Sequence, residues 1–167
     1  QPECPLELRL RRIHRLWRDG MTRLSDIVET FELLGDWDTR YQYLVELGEQ
    51  LPPLEESARV EPNRVKACMS RVWVHAWEDS DVAGHVRFGG DCDTGIIKGV
   101  LALLIQLADG KTLAEIEAIN MEEFFEHLQL GEHLSPNRHV GVYAIVDLMK
   151  QQAATAAGRQ RHHAASG

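Results

Sequence analysis

The residue best suited to covalent chemistry in this sequence is Cys68, because three cations lie within four positions of it in the chain. They are Arg64, Lys66 and Arg71. A free thiol has a pKa of about 8.5, and nearby positive charge favours the thiolate, which is the form that attacks sulfur or binds a metal. Cys68 is therefore a candidate nucleophile, the alternative being a small buried hydrophobic side chain.

A second thiol, Cys92, lies in the glycine-rich segment Gly89–Gly95, which we interpret as a loop between a strand and a helix. The flanking carboxylates of Asp91 and Asp93 disfavour its thiolate, whereas the N-terminus of the following helix favours it. The sign of the net effect on the Cys92 pKa is left open. This segment lacks the lysine and hydroxyl of a Walker motif, so it does not indicate nucleotide binding.

Other functions are not supported by composition or spacing. Closely paired cysteines or histidines of the structural-zinc type do not occur, nor does the Gly-x-Ser-x-Gly motif of hydrolases. A formal charge of -8 disfavours nucleic acid, and no apolar run reaches the roughly 18 residues of a membrane span. Three cysteines without a secretion signal favour free thiols in a reducing compartment. We expect a cytoplasmic protein with neither nucleic acid nor membrane as partner.

The two thiols flank a predicted β-hairpin. Arg71–Glu78 alternates aliphatic side chains with aromatic or polar ones, which is typical of a half-buried strand. After a polar turn, His85–Phe88 forms the second strand. Ile96–Ala108 is apolar on all sides and is predicted to be a buried central helix.

Capping signals predict further helices on both sides of this hairpin. Ser25 and Asp38 are interpreted as N-caps of two helices that end at Gly35 and Gly48, and residues 52–63 are interpreted as an extended loop. Three later helices are predicted to start at the capping box of Thr112 and Glu115, at Met121, and at the pair Ser135-Pro136.

Helices, then strands, then helices predict one α+β domain, a small antiparallel β-sheet packed against helices, over residues 21–152. Residues 1–20 are predicted to be an N-terminal extension, in which Leu6–Trp17 forms a basic amphipathic helix. An organelle transit peptide is the alternative interpretation of this segment. Residues 153–167 are expected to offer nothing to bury and to form a flexible tail.

Several segments resemble the SufE family of cysteine desulfuration proteins. They are Phe31–Tyr41 with Leu51–Leu54, then Asn63–Trp73, then Asp91–Asp93 with Ile96–Gly99, and finally Glu132–Arg138 with Gly141. The resemblance runs from Ser25 to Met149 in consistent order, which makes it more specific than any single motif. It implies the SufE/IscU-like version of the α+β fold.

The resemblance implies that Cys68 takes persulfide sulfur from a cysteine desulfurase of the SufS or CsdA type. The sulfur would then pass to an iron–sulfur scaffold, so the chain would be a sulfurtransferase-like accessory protein rather than a stand-alone enzyme. Pyridoxal phosphate belongs to the desulfurase, and this chain is expected to need no cofactor. Candidate supporting residues, for tuning the thiol, steering the persulfide or positioning the loop, are Arg64, Lys66, Arg71, Asp93 and Arg138.

Three departures from the family pattern leave alternatives open. Ala67 stands where glycine is usual before the cysteine, Arg71 replaces a common glutamine, and Cys92 replaces a usual serine. Cys92 is therefore a candidate second thiol. If it approaches Cys68 across the end of the sheet, it could resolve the Cys68 persulfide or share a metal with it; if the two lie well apart, Cys92 is an incidental replacement of serine. The alternatives to a sulfur carrier are an iron–sulfur or metal scaffold using Cys68 and Cys92, and a regulator that docks on the desulfurase without carrying sulfur.

Overall fold

The computed structural model describes the backbone of residues 23–166 and the side chains of residues 23–158. This part of the chain forms α-helices around a three-stranded sheet, with two short 3-10 turns at Glu56–Ala58 and Glu61–Asn63. The elements in chain order are α1 (Leu24–Leu34), α2 (Trp37–Glu49), β1 (Val72–Glu78), β2 (His85–Cys92), α3 (Gly95–Ala108), β3 (Lys111–Thr112), α4 (Leu113–Glu117), α5 (Met121–His127), α6 (Leu130–His133) and α7 (Pro136–Ser166). The predicted α+β class with a small antiparallel sheet is confirmed.

The sheet has the order β1-β2-β3 and is antiparallel throughout. Cys92 belongs to β2, where it pairs with Val72, so the prediction of a loop from Gly89 onward is wrong. The glycines are there for packing rather than for a turn. A Cβ at Gly90 would lie 2.8 Å from the Trp73 carbonyl oxygen, so only glycine fits this strand position.

Helix α3 forms the centre of the core, as its apolar sequence predicts, with Val100, Leu101 and Leu103 fully buried. It crosses α2 at close range, because a Cβ at Gly99 would overlap the Leu44 backbone and one at Gly48 would lie 2.9 Å from the Gly99 nitrogen. Gly48 therefore lies inside α2, which continues through Glu49, and does not end the helix as predicted.

The first two helices begin near the predicted positions but use other caps. Asp36, rather than Asp38, caps α2 by accepting a hydrogen bond of 2.8 Å from the Thr39 backbone N–H. Helix α1 begins before Ser25, and Gly35 ends it with a φ of 83°, a left-handed conformation that glycine adopts without steric cost. The capping box of Thr112 with Glu115 is present as predicted.

Helix α7 begins at Pro136 as predicted and continues through Ser166. Its inner face covers β1, where the Gln152 amide donates to the Val74 carbonyl oxygen at 2.9 Å and accepts from the Ala76 N–H at 2.9 Å. Ala153 and Ala156 are buried, so the expectation that nothing beyond Ala153 is buried is wrong at these positions. The division into extension, domain and tail stays a prediction, and residues 1–20 lie outside the described part.

Among the residues that the structure describes, no helix combines the length and the apolar character needed to cross a membrane.

Candidate functional site

Cys68 lies in a short loop, residues 66–70, which we call the cysteine loop. Its neck is closed just before β1, where Arg64 and Trp73 form an isolated antiparallel bridge and the Val65 N–H donates to the Val72 carbonyl oxygen at 2.9 Å. The chain therefore leaves and re-enters the sheet at nearly the same place. This narrow neck presents the loop as a projecting unit at the end of the sheet.

The turn after β2 holds the other side of the cysteine loop. The Asp93 carboxylate accepts from the Arg71 N–H at 3.0 Å, and the Asp93 N–H donates to the Arg71 carbonyl oxygen at 3.1 Å. The hydroxyls of Ser70 and Thr94 share a hydrogen bond of 2.6 Å. The segment Asp91–Asp93 that resembles a family motif is thus the anchor of the loop that carries Cys68.

The Cys68 thiol rests on the backbone of α7 at Gly141. A Cβ built on Gly141 would lie 2.8 Å from Cys68 Sγ and 3.4 Å from Cys68 Cβ, so a side chain at this position would displace the thiol. Cys68 is half-buried and packs against the hydrophobic core, whereas its neighbour Met69 is 87% exposed. The loop therefore points an apolar tip at solvent and shelters its sulfur.

The predicted cations do not form one cluster around the thiol. Arg64 packs over the Trp73 ring at 5.9 Å and lies 3.9 Å from the Glu61 carboxylate, so its charge is already engaged. Lys66 and Arg71 are exposed, and no ion-pair partner for either occurs among the described side chains. Arg138 precedes Gly141 by three positions, which places it one helical turn from the thiol contact on the same face of α7.

Cys92 lies at the end of β2 and is only 6% exposed. Its sulfur accepts from the Thr94 N–H at 3.4 Å. Burial raises the pKa of the Cys92 thiol to about 11, the Thr94 hydrogen bond opposes this, and the charges of Asp93, Cys68 and Asp91 add to it. The net effect that the sequence left open is therefore a raised pKa. Because Cys68 is among the causes, the two thiols are electrostatic neighbours.

No group of three or more histidine, cysteine, aspartate or glutamate side chains converges for a metal ion in the described residues. Cys68 and Cys92 are both free thiols there. The alternative of a metal or iron–sulfur scaffold thus has no ligand set in this part of the chain.

Asp91 holds the long loop before β1 against α3, a link that no pattern in the sequence predicts. Its carboxylate accepts from Arg59 at 2.7 Å and lies 3.2 Å from the Lys98 ammonium nitrogen. Partial burial works to raise the pKa of Asp91, but the hydrogen bonds from Arg59, Lys98 and the Cys92 N–H, together with the charge of Lys98, leave the pKa lowered. Ion pairs therefore connect the long loop, β2 and α3 at this end of the sheet.

The first and last resembling segments meet in a packing cluster rather than at the thiol. The Trp37 and His133 rings stack with centroids 3.7 Å apart, and the Tyr41 hydroxyl donates to the His133 carbonyl oxygen at 2.7 Å. These contacts hold the turn before α7, and thereby the helix that carries Gly141.

The alanine at position 67, where the family usually has glycine, causes no backbone strain. Gln129 is the one non-glycine residue with positive φ in the described part, so Ala67 does not adopt a conformation that favours glycine.

The chain is similar to known proteins over most of its length. The family model described as SufE, an Fe-S metabolism associated domain, matches residues 25–153. An uncharacterized SufE-like protein of Rhizobium etli is 35% identical over 134 residues, covering 80% of this chain and 90% of that protein. One of Rhizobium meliloti is 35% identical over 135 residues, covering 80% and 96%.

Among solved structures, a hypothetical protein from Thermus thermophilus has the same fold. Its solution structure matches with a TM-score of 0.66 and 25% identity, over 80% of this chain and 94% of that one. With the family model spanning most of its length and relatives above 30% identity, this chain belongs to the SufE family, whose domain is associated with iron–sulfur metabolism.

Proposed function

We propose that Cys68 carries sulfane sulfur between a cysteine desulfurase and iron–sulfur cluster assembly. The observation that supports this most strongly is the placement of its thiol on the Gly141 backbone, at the tip of a loop pinned on both sides. A persulfide is easily reduced or oxidised, so a carrier needs a sheltered position for it between encounters. Membership in the SufE family supports the same role.

The transfer step is an exchange at sulfur. The Cys68 thiolate attacks the terminal sulfur of a persulfide on the partner's cysteine, a new sulfur–sulfur bond forms at Cys68, and the partner's thiolate leaves with the electron pair of the broken bond. No net oxidation occurs and no further reactant is consumed. The pyridoxal phosphate chemistry that first releases sulfur from cysteine belongs to the desulfurase.

The cysteine loop has to move for this step. Cys68 Sγ lies against α7 at Gly141 and is half-buried, so a partner's persulfide reaches it in line more readily once the loop moves away from α7. Exposed Met69 and the exposed cations Lys66 and Arg71 are then the first groups that a partner meets. We propose that they guide docking, with Arg138 near the opened thiol and Asp93 as the hinge-side anchor.

The deciding experiment is to incubate the protein with a cysteine desulfurase and cysteine and to measure its mass. We expect a gain of one sulfur atom that maps to the Cys68 peptide, and no gain in Cys68→Ser. Cys4→Ser, outside the segment that resembles the family, is expected to load and stimulate normally.

The alternative role as a docking regulator predicts a different result. If Cys68→Ser stimulates the desulfurase as well as the parent protein, the carrier mechanism is wrong. The partner's identity as SufS- or CsdA-like, the scaffold as recipient, and the cytoplasmic location all remain part of the proposal.

A further inference from the structure

Two large apolar side chains are exposed on α7 close to Gly141. Val140 is 57% exposed and Tyr143 is 39% exposed. They are three positions apart in the same helix, so their side chains are neighbours on its surface. We call these two residues the α7 patch. Singly exposed apolar side chains are common on proteins, but a group of them beside a candidate site points to a binding surface.

The α7 patch lies beside the Cys68 thiol. Cys68 Sγ lies 2.8 Å from the position that a Cβ on Gly141 would take. With one Cα–Cβ bond and the spacing of about 3.8 Å between neighbouring Cα atoms, the Val140 Cα lies within roughly 8 Å of the sulfur. Met69, which follows Cys68 in the chain, is 87% exposed. Three exposed apolar side chains are therefore grouped around one thiol.

Tyr143 is held in a fixed orientation by the core beneath it. Its ring stacks on the Phe125 ring with a centroid distance of 5.2 Å and an interplanar angle of 11°. Phe125 is only 7% exposed and belongs to the hydrophobic core. An aromatic side chain that is already held in place loses little conformational freedom when a partner covers it. The α7 patch is therefore preorganised, in contrast to Met69, which lies on the cysteine loop that has to move.

The kind of partner follows from the position of the patch. A protein that delivers sulfur to Cys68 has to bring its own cysteine within bonding distance of Sγ. A specific interface covers about 800 Å² on each partner, which corresponds to a circle with a radius of roughly 16 Å. The Val140 Cα, at roughly 8 Å from the sulfur, lies well inside such a circle. A sulfur donor docked at Cys68 would therefore cover the α7 patch.

The surroundings of the patch have the composition of a protein interface. Lys66 and Arg71, in and beside the cysteine loop, are exposed and have no ion-pair partner among the described side chains. An apolar centre with a polar rim is the usual arrangement of an interface, and tyrosine and methionine are enriched there. In a chain with a formal charge of -8, these cations favour an acidic partner surface at this end.

We propose that the α7 patch is a fixed docking surface for the cysteine desulfurase. This inference rests on the proposed function, because the desulfurase is the sulfur donor in that proposal. The patch keeps the partner bound while the cysteine loop leaves α7 and returns to it. It therefore contributes to the affinity for the partner and takes no part in the exchange at sulfur.

A matched pair of substitutions tests the patch in a Cys68→Ser background, where binding is measured without sulfur transfer. Val140→Gln changes the patch, and Val82→Gln makes the identical change at an exposed valine between β1 and β2, away from the cysteine loop. We expect Val140→Gln to raise the dissociation constant for a purified SufS- or CsdA-type desulfurase about tenfold, and Val82→Gln to change it less than about twofold. Equal dissociation constants in the two variants would overturn the proposal.

Sulfur loading, measured by mass with Cys68 intact, separates this proposal from the proposed function. At saturating desulfurase, Val140→Gln is expected to gain one sulfur atom, as the parent protein does. Loading of Cys68 together with equal dissociation constants would overturn the docking surface alone. Binding that depends on Val140 without any loading would support the docking surface and overturn the carrier role, and no binding by the parent protein would overturn both.

Photocross-linking identifies what covers the patch. p-Benzoylphenylalanine replaces Tyr143 in one variant and Trp77, which is 43% exposed, in the other. Trp77 lies five positions along β1 from Val72, roughly 16 Å at about 3.3 Å per residue, and so lies far from the cysteine loop. We expect a cross-link from position 143 to the desulfurase and none from position 77. A probe at position 143 that reacts only with a second copy of this chain, or with nothing, would overturn the proposal.

Discussion

At the scale of single residues, the position of the Cys68 thiol depends on a glycine in a different element. Gly141 has no side chain, and this allows Cys68 Sγ to lie against the backbone of α7, which covers one side of the half-buried thiol. Cys92 shows the opposite use of burial, because its raised pKa of about 11 keeps it protonated near neutral pH. The proposed carrier thiol is thus half-buried against a helix, whereas the second thiol is buried in the core with a raised pKa.

Substitution of Gly141 tests the shelter. Gly141→Ala adds a Cβ that would lie 2.8 Å from Cys68 Sγ, so the thiol has to move out of its recess. We expect Cys68 to be alkylated by iodoacetamide several-fold faster and the free energy of unfolding to fall by roughly 1–3 kcal/mol, as in overpacked sites.

Gly158→Ala is the matched control, because Gly158 lies in the same helix and a Cβ there has open space around it. Unchanged alkylation of Cys68 in Gly141→Ala would show that the contact with α7 does not limit access to the thiol.

The raised pKa of Cys92 leads us to expect that the stability of the protein depends on pH in the alkaline range. Its pKa rises from 9.0 to about 11 on folding, so the stability it contributes is fully present below about pH 9 and is lost as the pH approaches 11. The full loss is roughly 3 kcal/mol, from a shift of about two pKa units at about 1.4 kcal/mol per unit. Urea unfolding at pH 8 and pH 11 should therefore show a smaller decline for Cys92→Ser than for the parent protein, while equal declines would contradict the raised pKa.

The same pKa bears on the resolving role considered for Cys92. A thiol that stays protonated attacks a persulfide slowly, so at neutral pH we expect persulfide on Cys68 to decay at nearly the same rate in Cys92→Ser and in the parent protein. A markedly longer persulfide lifetime in Cys92→Ser at neutral pH would show that Cys92 does resolve it.

At the scale of elements, the cysteine loop is held in part by the turn after β2, which is distant from it in sequence. Asp93 fixes Arg71 through both its carboxylate and its backbone N–H, and Thr94 fixes Ser70. These bonds lie on the β2 side of the neck, whereas the Val65 and Val72 bond lies on the other. Loosening one side should open the loop without unfolding the sheet.

Asp93→Ala tests this anchor, because it removes the acceptor for the Arg71 N–H. We expect a loss of about 1 kcal/mol in the free energy of unfolding and faster alkylation of Cys68. Asp147→Ala removes an exposed carboxylate from α7 that has no hydrogen bond or ion pair among the described residues, and it is expected to change neither quantity. If the two variants behave alike, Asp93 does not hold the loop closed.

At the scale of the whole molecule, an acidic protein presents exposed cations beside the Cys68 thiol. The formal charge is -8, yet Lys66 and Arg71 in and beside the cysteine loop are exposed and have no ion-pair partner among the described side chains. A partner with an acidic surface would therefore meet long-range repulsion from the whole protein and local attraction at this end. An anionic persulfide or an acidic docking surface would be drawn to this end.

The double variant Lys66→Gln and Arg71→Gln tests local attraction. We expect about a tenfold rise in the concentration of this protein needed for half-maximal desulfurase stimulation, with less effect at high salt. The double variant Gln42→Glu and Gln151→Glu changes the net charge equally at other exposed sites and is expected to have a smaller effect. Equal effects would mean that only net charge matters.

The sequence by itself determined most of the helices and strands, although not β3 or α6, and it identified Cys68 as the candidate nucleophile. Alternation in Arg71–Glu78, the apolar saturation of Ile96–Ala108 and the capping box at Thr112 are short-range signals, and each produced the predicted element. Local signals misled where a glycine serves packing between distant segments. Gly90 was interpreted as a loop residue and Gly48 as a helix end, although each makes room for another backbone.

Only the tertiary structure decided how the thiols are presented. Cys68 meets Gly141, and Cys92 is buried beside the loop anchor, because the sheet and α7 bring together residues that are far apart in the chain. The pKa of Cys92 follows from desolvation, which depends on every group packed around it rather than on Asp91 and Asp93 alone. The sequence specifies the type of each residue directly, but the burial of a residue depends on all the segments that pack against it in the folded structure.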